Sequence, residues 1–254
     1  MALDGTGETK DLGTAFQRYF TVEPALDERS REQVFRIRHQ VYCEDLGWEP
    51  CRADGLERDA FDPNAVHCLM TRSDTAEPVG CLRLIRAEVN GSAIELPFER
   101  SCAHVLDRQL VDPSNLPRRT VGEVSRLAVA RAFRQRRGEE RRAAGLSDGD
   151  FEAHGPRQRF PFILVGLYLG ATALARRLGV EHAFILTEPR LAGHFRQIGF
   201  DIQVVGGPIE HRGTRVPSLM RASRVVEGLR PQIRTLYDRV EADFARALGH
   251  GLDP

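Results

Sequence analysis

The sequence predicts an α/β (α+β) fold with a mixed, mostly antiparallel central sheet flanked by helices. Three observations carry that prediction. Two strand-like runs, 67–71 (HCLMT) and 79–87 (VGCLRLIRA), follow each other in hairpin style across a turn at 74–78, and Asn90-Gly91 marks a further turn. A later stretch alternates helix and strand: an apolar helix over 160–178, a buried strand over 182–187 (HAFILT), a helix over 189–198 and a strand over 201–205. Between the two halves lies 120–138, TVGEVSRLAVARAFRQRRG, an apolar strand that contains a charged pair and runs into an arginine-rich loop.

The elements follow in order from local chemistry. Residues 1–13 are polar and read as disordered, and Phe16, Tyr19 and Phe20 start the ordered chain. Asp27 or Ser30 caps a helix that runs to about residue 44, with Val34, Ile37 and Val41 as its apolar stripe. Arg38 and Tyr42, four apart, share a neighbouring face of it. Gly47 stops the helix, and Trp48, the single Trp, follows in a loop. The loop 49–64 is acidic, with Glu57, Asp59 and Asp62. After the hairpin strands, 94–98 reads as a short extended piece that Pro97 makes an edge or exit, and a short helix is expected at 104–109. Residues 139–159 are polar with several Gly and read as an insertion or mobile loop. A strand at 214–219 and helical periodicity over 222–248, interrupted near Pro231, complete the chain. The expected organisation is a disordered 1–13, one domain over 14–221 with the 139–159 insertion, and a C-terminal helical extension over 222–254.

Composition narrows the class. A content of 41% hydrophobic and 28% charged residues describes a soluble globular protein, and a formal net charge of zero gives no global reason to expect nucleic acid. Locally the charge is uneven: residues 118–142 hold nine Arg and three Glu. Such a run is either a solvated face or a dock for phosphate or an acidic partner. Arg outnumbers Lys 35 to 1 across the chain. The five Cys show no CxxC spacing, and the polar, acidic N-terminus is no secretory signal. Together these point to free thiols, no metal site and a cytoplasmic location. The longest uncharged run, 160–175, falls short of the roughly 20 residues a membrane span needs and reads as a buried helix.

The chemistry concentrates on Glu123 and Arg126. A carboxylate and a guanidinium in an otherwise apolar strand are costly unless paired or used. Either the two brace the strand as a pair, or Glu123 is a general base whose pKa burial raises toward neutrality. A regular strand puts positions 123 and 126 on opposite faces, so joint use requires a bulge.

The order of elements, ending in FRQIGF, resembles the GNAT acyltransferase fold. More specifically, the chain resembles the autoinducer (acyl-homoserine-lactone) synthases and the related N-acyl amino acid synthases. It also looks like the acyltransferases associated with PEP-CTERM/exosortase systems. FRIRHQVYCEDLGW places Arg38, Tyr42 and Trp48 on the family's Arg, aromatic and Trp; ERDAFD supplies Asp59 and Asp62; GCLRL supplies Arg83; GEVSRLAV supplies Glu123 and Arg126. The resemblance implies that Glu123 and Arg126 are catalytic and that Arg38, Tyr42, Trp48, Asp59, Asp62 and Arg83 orient a small zwitterionic acceptor. It implies that Leu127, Ala128, Val129, Arg131, Arg134, Arg136, Arg137 and Gly138 meet the acyl donor. A bulge would then free a backbone N–H near Ala128 or Val129 for the thioester oxygen.

The chain also departs from the family. Tyr42 stands where autoinducer synthases usually have Phe. No Tyr precedes the final GF to protonate the leaving thiolate, and the basic loop keeps one glycine of the usual phosphate cradle. The scarce glycine favours an acyl carrier protein thioester over acyl-coenzyme A as donor, with no bound cofactor. The expected reaction is fatty acyl transfer from acyl carrier protein to the α-amine of an amino acid or related small amine. The alternatives are lactone formation from S-adenosylmethionine, and a non-catalytic module that binds acyl ligand or carrier protein.

Overall fold

The computed structural model describes residues 11–134 and 162–248. Leu12–Gln17 (α1) opens the described chain, with the Asp11 carboxylate accepting the Gly13 N–H. Residues 11–13 therefore belong to the folded chain, which corrects the expectation of disorder there. Phe20–Pro24 (β1) is a strand because it pairs antiparallel with Ala65–Arg72 (β2). Glu28–Arg38 (α2) starts at the Asp27 cap and widens into a π-helical turn over His39–Asp45. Pro78–Arg86 (β3) completes the predicted hairpin, and Asn90-Gly91 turns the short ribbon of Glu88–Val89 (β4) and Ser92–Ala93 (β5).

The next element differs from the sequence reading. Pro97 does not end a strand; it opens the helix Pro97–Cys102 (α3), where its missing N–H needs no partner, and Glu99 accepts the Leu96 N–H at 2.9 Å. The helix expected at 104–109 is not formed. Val121–Val129 (β6), Phe162–Arg177 (α4), His182–Thr187 (β7), Pro189–Gln197 (α5) and Ile202–Val204 (β8) follow as predicted, within a residue or two at their ends. Ile209–Glu210 (β9), Thr214–Arg221 (β10), Ala222–Gly228 (α6) and Pro231–Leu248 (α7) close the chain.

The sheet runs β1-β2-β3-β6-β7-β10-β8, with β9 on β10. Every pairing in it is antiparallel except β6 with β7. One face is covered by α4, α6 and α7. A Cβ on Gly166 would lie 2.8 Å from Phe16 and Met70, and one on Gly170 2.8 Å from Val22. The small residues of α4 therefore serve close helix–sheet packing. Val225, Leu236, Val240 and Phe244 bury into that same cluster, so the C-terminal helices are part of the main core. On the opposite face, α2 and the π-helical turn place Val34, Ile37, Val41 and Tyr42 over Leu69, Cys81 and Ala128. Beside them α3 lays Phe98 on Phe184, with ring centroids 4.4 Å apart. Gly199, of the FRQIGF motif, has φ +94°, and a Cβ there would collide with the Gly228 carbonyl, so only glycine joins α5 to β8 beside α6. No helix among the described residues is long and apolar enough to cross a membrane.

Candidate active site

The sheet parts at its one parallel pairing. β6 follows β7 only from Val121↔His182 to Val124↔Ile185, whereas β7 continues to Thr187 on the β10 side. Beyond Val124 the two strands diverge, and a cleft of about 290 Å³ opens between them. Val124–Leu127 and Ile185–Glu188 form its walls, Tyr168 and Leu191 lie on one side of the sheet, and Tyr42, Trp48 and Phe98 on the other.

The bulge that joint use of Glu123 and Arg126 requires lies at this point. Arg83 pairs with Ser125 and Cys81 with Ala128, so Leu82 alone faces both Arg126 and Leu127. Arg126 takes φ +54°, a left-handed conformation that costs an ordinary side chain about 1–3 kcal/mol. The extra residue changes the parity of the strand. Val124 and Val129 enter the same core cluster although five apart, and Glu123 and Arg126 both line the cleft. The residues left without a strand partner are Arg126 and Leu127. Ala128 and Val129, near which a free N–H was expected, resume the pairing opposite Cys81 and Gly80, while β7 pairs with neither.

Tyr42 holds the bulge. Its hydroxyl donates to the Leu127 carbonyl at 2.7 Å, and its ring stacks on Trp48 at 5.8 Å. Tyr42→Phe keeps the ring and removes that donor. The expected result is a loss of about 1 kcal/mol in denaturant unfolding and a fall in kcat with little change in fold, measured on the purified variant.

Glu123 and Arg126 do not pair. Glu123 accepts the Phe98 N–H at 2.6 Å, in the first turn of α3. Burial, the largest influence, pushes the Glu123 carboxyl up to about 7, against the Phe98 N–H and the charges of Arg83 and Arg126. Arg126 turns instead to Asp59 at 2.8 Å, Glu57 at 3.4 Å and Glu49 at 3.5 Å.

The acceptor set divides in two. Tyr42, Trp48, Asp59 and Arg83 line the cleft. Arg38 and Asp62 do not. Arg38 is fully buried, giving both terminal nitrogens to Asp62 at 2.7 and 3.1 Å and its Nε to Glu57. Asp62 also accepts from Arg83 at 2.7 Å and from the Asp59 N–H at 2.7 Å. Arg83 further reaches Asp59 at 2.6 Å and Ser125 Oγ at 3.1 Å. Arg38 and Asp62 thus sit behind the cleft wall and hold Arg83 and Asp59 in place. His67, beside them, is kept neutral: burial and then Arg38 lower it to about 4.

The loop expected to meet the donor is described only at its start. Arg131 is exposed, 3.7 Å from Asp45. Arg134, expected to meet the acyl donor, is buried with its guanidinium on Asp45. Arg136, Arg137, Gly138 and the 139–159 insertion lie outside the described residues.

The comparisons with known proteins meet this geometry. Residues 37–143 match the acetyltransferase (GNAT) domain family, a span that includes the bulged strand, Arg38 and Arg83. The fold is GNAT-like. The chain is 25% identical over 224 residues to an acyl-homoserine-lactone synthase from Aeromonas salmonicida, covering 86% of this chain and 84% of that one. Its fold is shared with the coenzyme A-dependent acyl-homoserine-lactone synthase BjaI, solved with S-adenosylmethionine and isopentyl-coenzyme A (TM-score 0.54, 20% identity, 87% of this chain and 89% of that one). It is also shared with FeeM, an N-acyl amino acid synthase from uncultured soil microbes (TM-score 0.51, 13% identity, 83% and 94%).

The cleft holds residues that the sequence reading did not single out. Arg212 and Arg215, from the hairpin that carries β9 into β10, line its mouth with His211. Burial and the neighbouring Arg212, Arg215 and Arg126 lower the His211 pKa. Arg212 lies over the Trp48 ring at 5.4 Å, and Arg215 is 3.5 Å from Glu188. Tyr168 reaches the cleft from α4, so a phenol is present although none precedes the final GF. The signal for the two arginines was EHRGTR, a basic turn around Gly213.

Proposed function

We propose that the protein transfers a fatty acyl group from an acyl carrier protein thioester to the α-amine of an amino acid or related small amine. One observation carries the reading: a buried carboxyl titrating near 7 faces the cleft where the GNAT sheet parts. Ionised Glu123 takes the proton from the acceptor ammonium or amine, directly or through a water. The amine nitrogen then bonds to the thioester carbon, the C–S bond breaks, and the sulfur leaves as a thiol with the further proton that the nitrogen sheds on becoming an amide. The thioester oxygen meets backbone N–H groups of β6 beyond Val124, where β7 no longer pairs with it. Exposed Arg131 and the arginine-rich segment after it suit an acidic carrier protein, and the single glycine of that segment argues against a coenzyme A cradle. A second reading, lactone formation from S-adenosylmethionine, is favoured by the Aeromonas relative, whose similarity spans most of both chains.

One assay decides among these. The protein is incubated with acyl carrier proteins of several chain lengths, or with acyl-coenzyme A, together with single amino acids or S-adenosylmethionine, and the products are weighed by mass spectrometry. An acyl amino acid supports the first reading and a lactone the second; thiol release with neither product sinks both. Turnover with the carrier protein is expected to fall as salt rises, because exposed ion pairs are screened. Equal rates in low and high salt would remove the docking role of the arginine loop.

A further inference from the structure

Glu49 follows Trp48 in the loop after the π-helical turn. Its Oε1 lies 3.5 Å from Nη2 of Arg126 and in direct contact with Nη2 of Arg212. The two guanidinium groups come from positions 86 apart in the chain, one from the bulge of β6 and one from the turn between β9 and β10. Both arginines have positive φ, 54° and 56°. Among the described residues only Ala76 and Asn90 share that feature without being glycine, and both lie in hairpin turns. Asn or Gly would suit the turn at 212 better than Arg, so the backbone gives no reason for Arg there; its side chain does. The guanidinium groups are steadied by aromatic faces, Arg126 over Tyr42 at 5.8 Å and Arg212 over Trp48 at 5.4 Å.

The partners of the two arginines are unequal. Arg126 keeps Asp59 at 2.8 Å if Glu49 leaves. Arg212 has no other acidic partner among the described residues. Glu49 itself is a partly exposed loop residue followed by Pro50, and its carboxylate does nothing for the core.

We propose that Arg126 and Arg212 form the subsite for the acceptor's carboxylate, and that Glu49 occupies it until the acceptor displaces it. This inference rests on the acyl-transfer reading for the identity of the acceptor. Arg126, Arg212 and Glu123 line one cleft, and an α-amino acid carries its carboxylate one carbon away from its amine. Anchoring the carboxylate on the arginines turns the amine toward the carboxyl that takes its proton. S-adenosylmethionine carries the same α-amino carboxylate, so both readings of the reaction use this subsite. Methyl esters and simple alkylamines lack the group and are excluded as good acceptors.

The test is a titration beside the turnover assay. Wild type, Glu49→Gln and Arg212→Asn are titrated calorimetrically with free amino acids, with S-adenosylmethionine and with the methyl esters of the same amino acids. Asn tolerates the left-handed turn, so Arg212→Asn removes the guanidinium without opposing the fold. Glu49→Gln is expected to tighten binding of the free acids about five-fold, the strength of a part-exposed ion pair. Arg212→Asn is expected to weaken it about tenfold or more, and the esters are expected not to bind. Acceptor KM moves in the same directions while the donor's KM stays put. Esters that bind as well as the free acids, free acids that do not bind at all, or a folded Glu49→Gln with unchanged affinity would each overturn the proposal. If carboxylate-selective binding is seen but no acceptor is acylated, the subsite stands and the acyl-transfer reading falls.

Discussion

Glu123→Gln is expected to lower kcat about 10²- to 10⁴-fold and at the same time to stabilise the protein at pH 8. Gln keeps an oxygen for the Phe98 N–H, so the site retains its shape. The stability gain follows from the direction of the pKa change. Burial raises the carboxyl from 4.5 to about 7 in the folded protein. Between those values the native state binds more protons than the unfolded chain, so stability falls as pH rises through the window. Above pH 7 the ionised carboxylate costs the fold about 3 kcal/mol, and below pH 4.5 it costs nothing. Melting curves of the two proteins should therefore coincide at low pH and separate with rising pH, with the Gln variant higher. The wild-type kcat/KM should rise with pH through an apparent pKa near 7, the limb that disappears in the variant. A Gln variant that melts lower at pH 8 and keeps its turnover would show that Glu123 only braces the strand.

Asp62→Ala is expected to produce the largest loss of stability of any single change in the site. Asp62 accepts from Arg38, Arg83 and the Asp59 N–H. Both arginines are buried, at 0% and 1% exposure. Removing their shared carboxylate leaves buried charge short of a partner, a change that costs about 3–5 kcal/mol. In a domain whose total stability is about 5–15 kcal/mol, that is enough to lower the melting temperature by about 10 °C or to unfold the chain. Burial alone would raise the Asp62 pKa, but the Arg38 hydrogen bonds and the charges of Arg38 and Arg83 outweigh it and hold the group well below the usual carboxylate range. The stability it supplies is complete above the ordinary Asp value of 3.8 and is lost as pH falls below it toward the depressed folded value. Acid unfolding monitored by circular dichroism should show this dependence in wild type and less of it in Asp62→Asn. A wild-type melting temperature for Asp62→Ala would mean that the network is dispensable.

The chemistry of these residues was easier to read in the sequence than their geometry. A carboxylate and a guanidinium three apart in an apolar strand announce a cost, and strand parity requires a bulge if the two share one face. The sequence cannot show which way each guanidinium turns. Arg38 and Asp62 stand in the same motifs as Tyr42 and Asp59, yet they lie behind the wall of the cleft, because a long side chain reaches core or cleft according to contacts far along the chain. Arg134 has the composition of a docking loop and the position of a buried anchor for Asp45. The strand at 182–187 and the break at Pro231 were legible because an apolar run and a missing N–H act locally. β1 was not, since only its pairing with β2 makes it a strand. The helix at Pro97 was missed because proline both ends strands and begins helices, and Glu99 decides between them by capping Leu96. Glu49 was illegible for a different reason, being one charged residue in a loop with no period to mark it, and Arg212 showed only as part of the basic turn EHRGTR.

Every permanently charged cation that lines the cleft is an arginine: Arg83, Arg126, Arg212 and Arg215. The single lysine of the chain, Lys10, lies outside the described residues. A lysine amine that loses its proton near a thioester is itself an acceptor, whereas a guanidinium stays protonated at every pH the protein meets. In the proposed reaction the described walls of the cleft therefore set four guanidinium groups and no side-chain amine around the acyl group, so that the amine it meets there is the one the substrate brings.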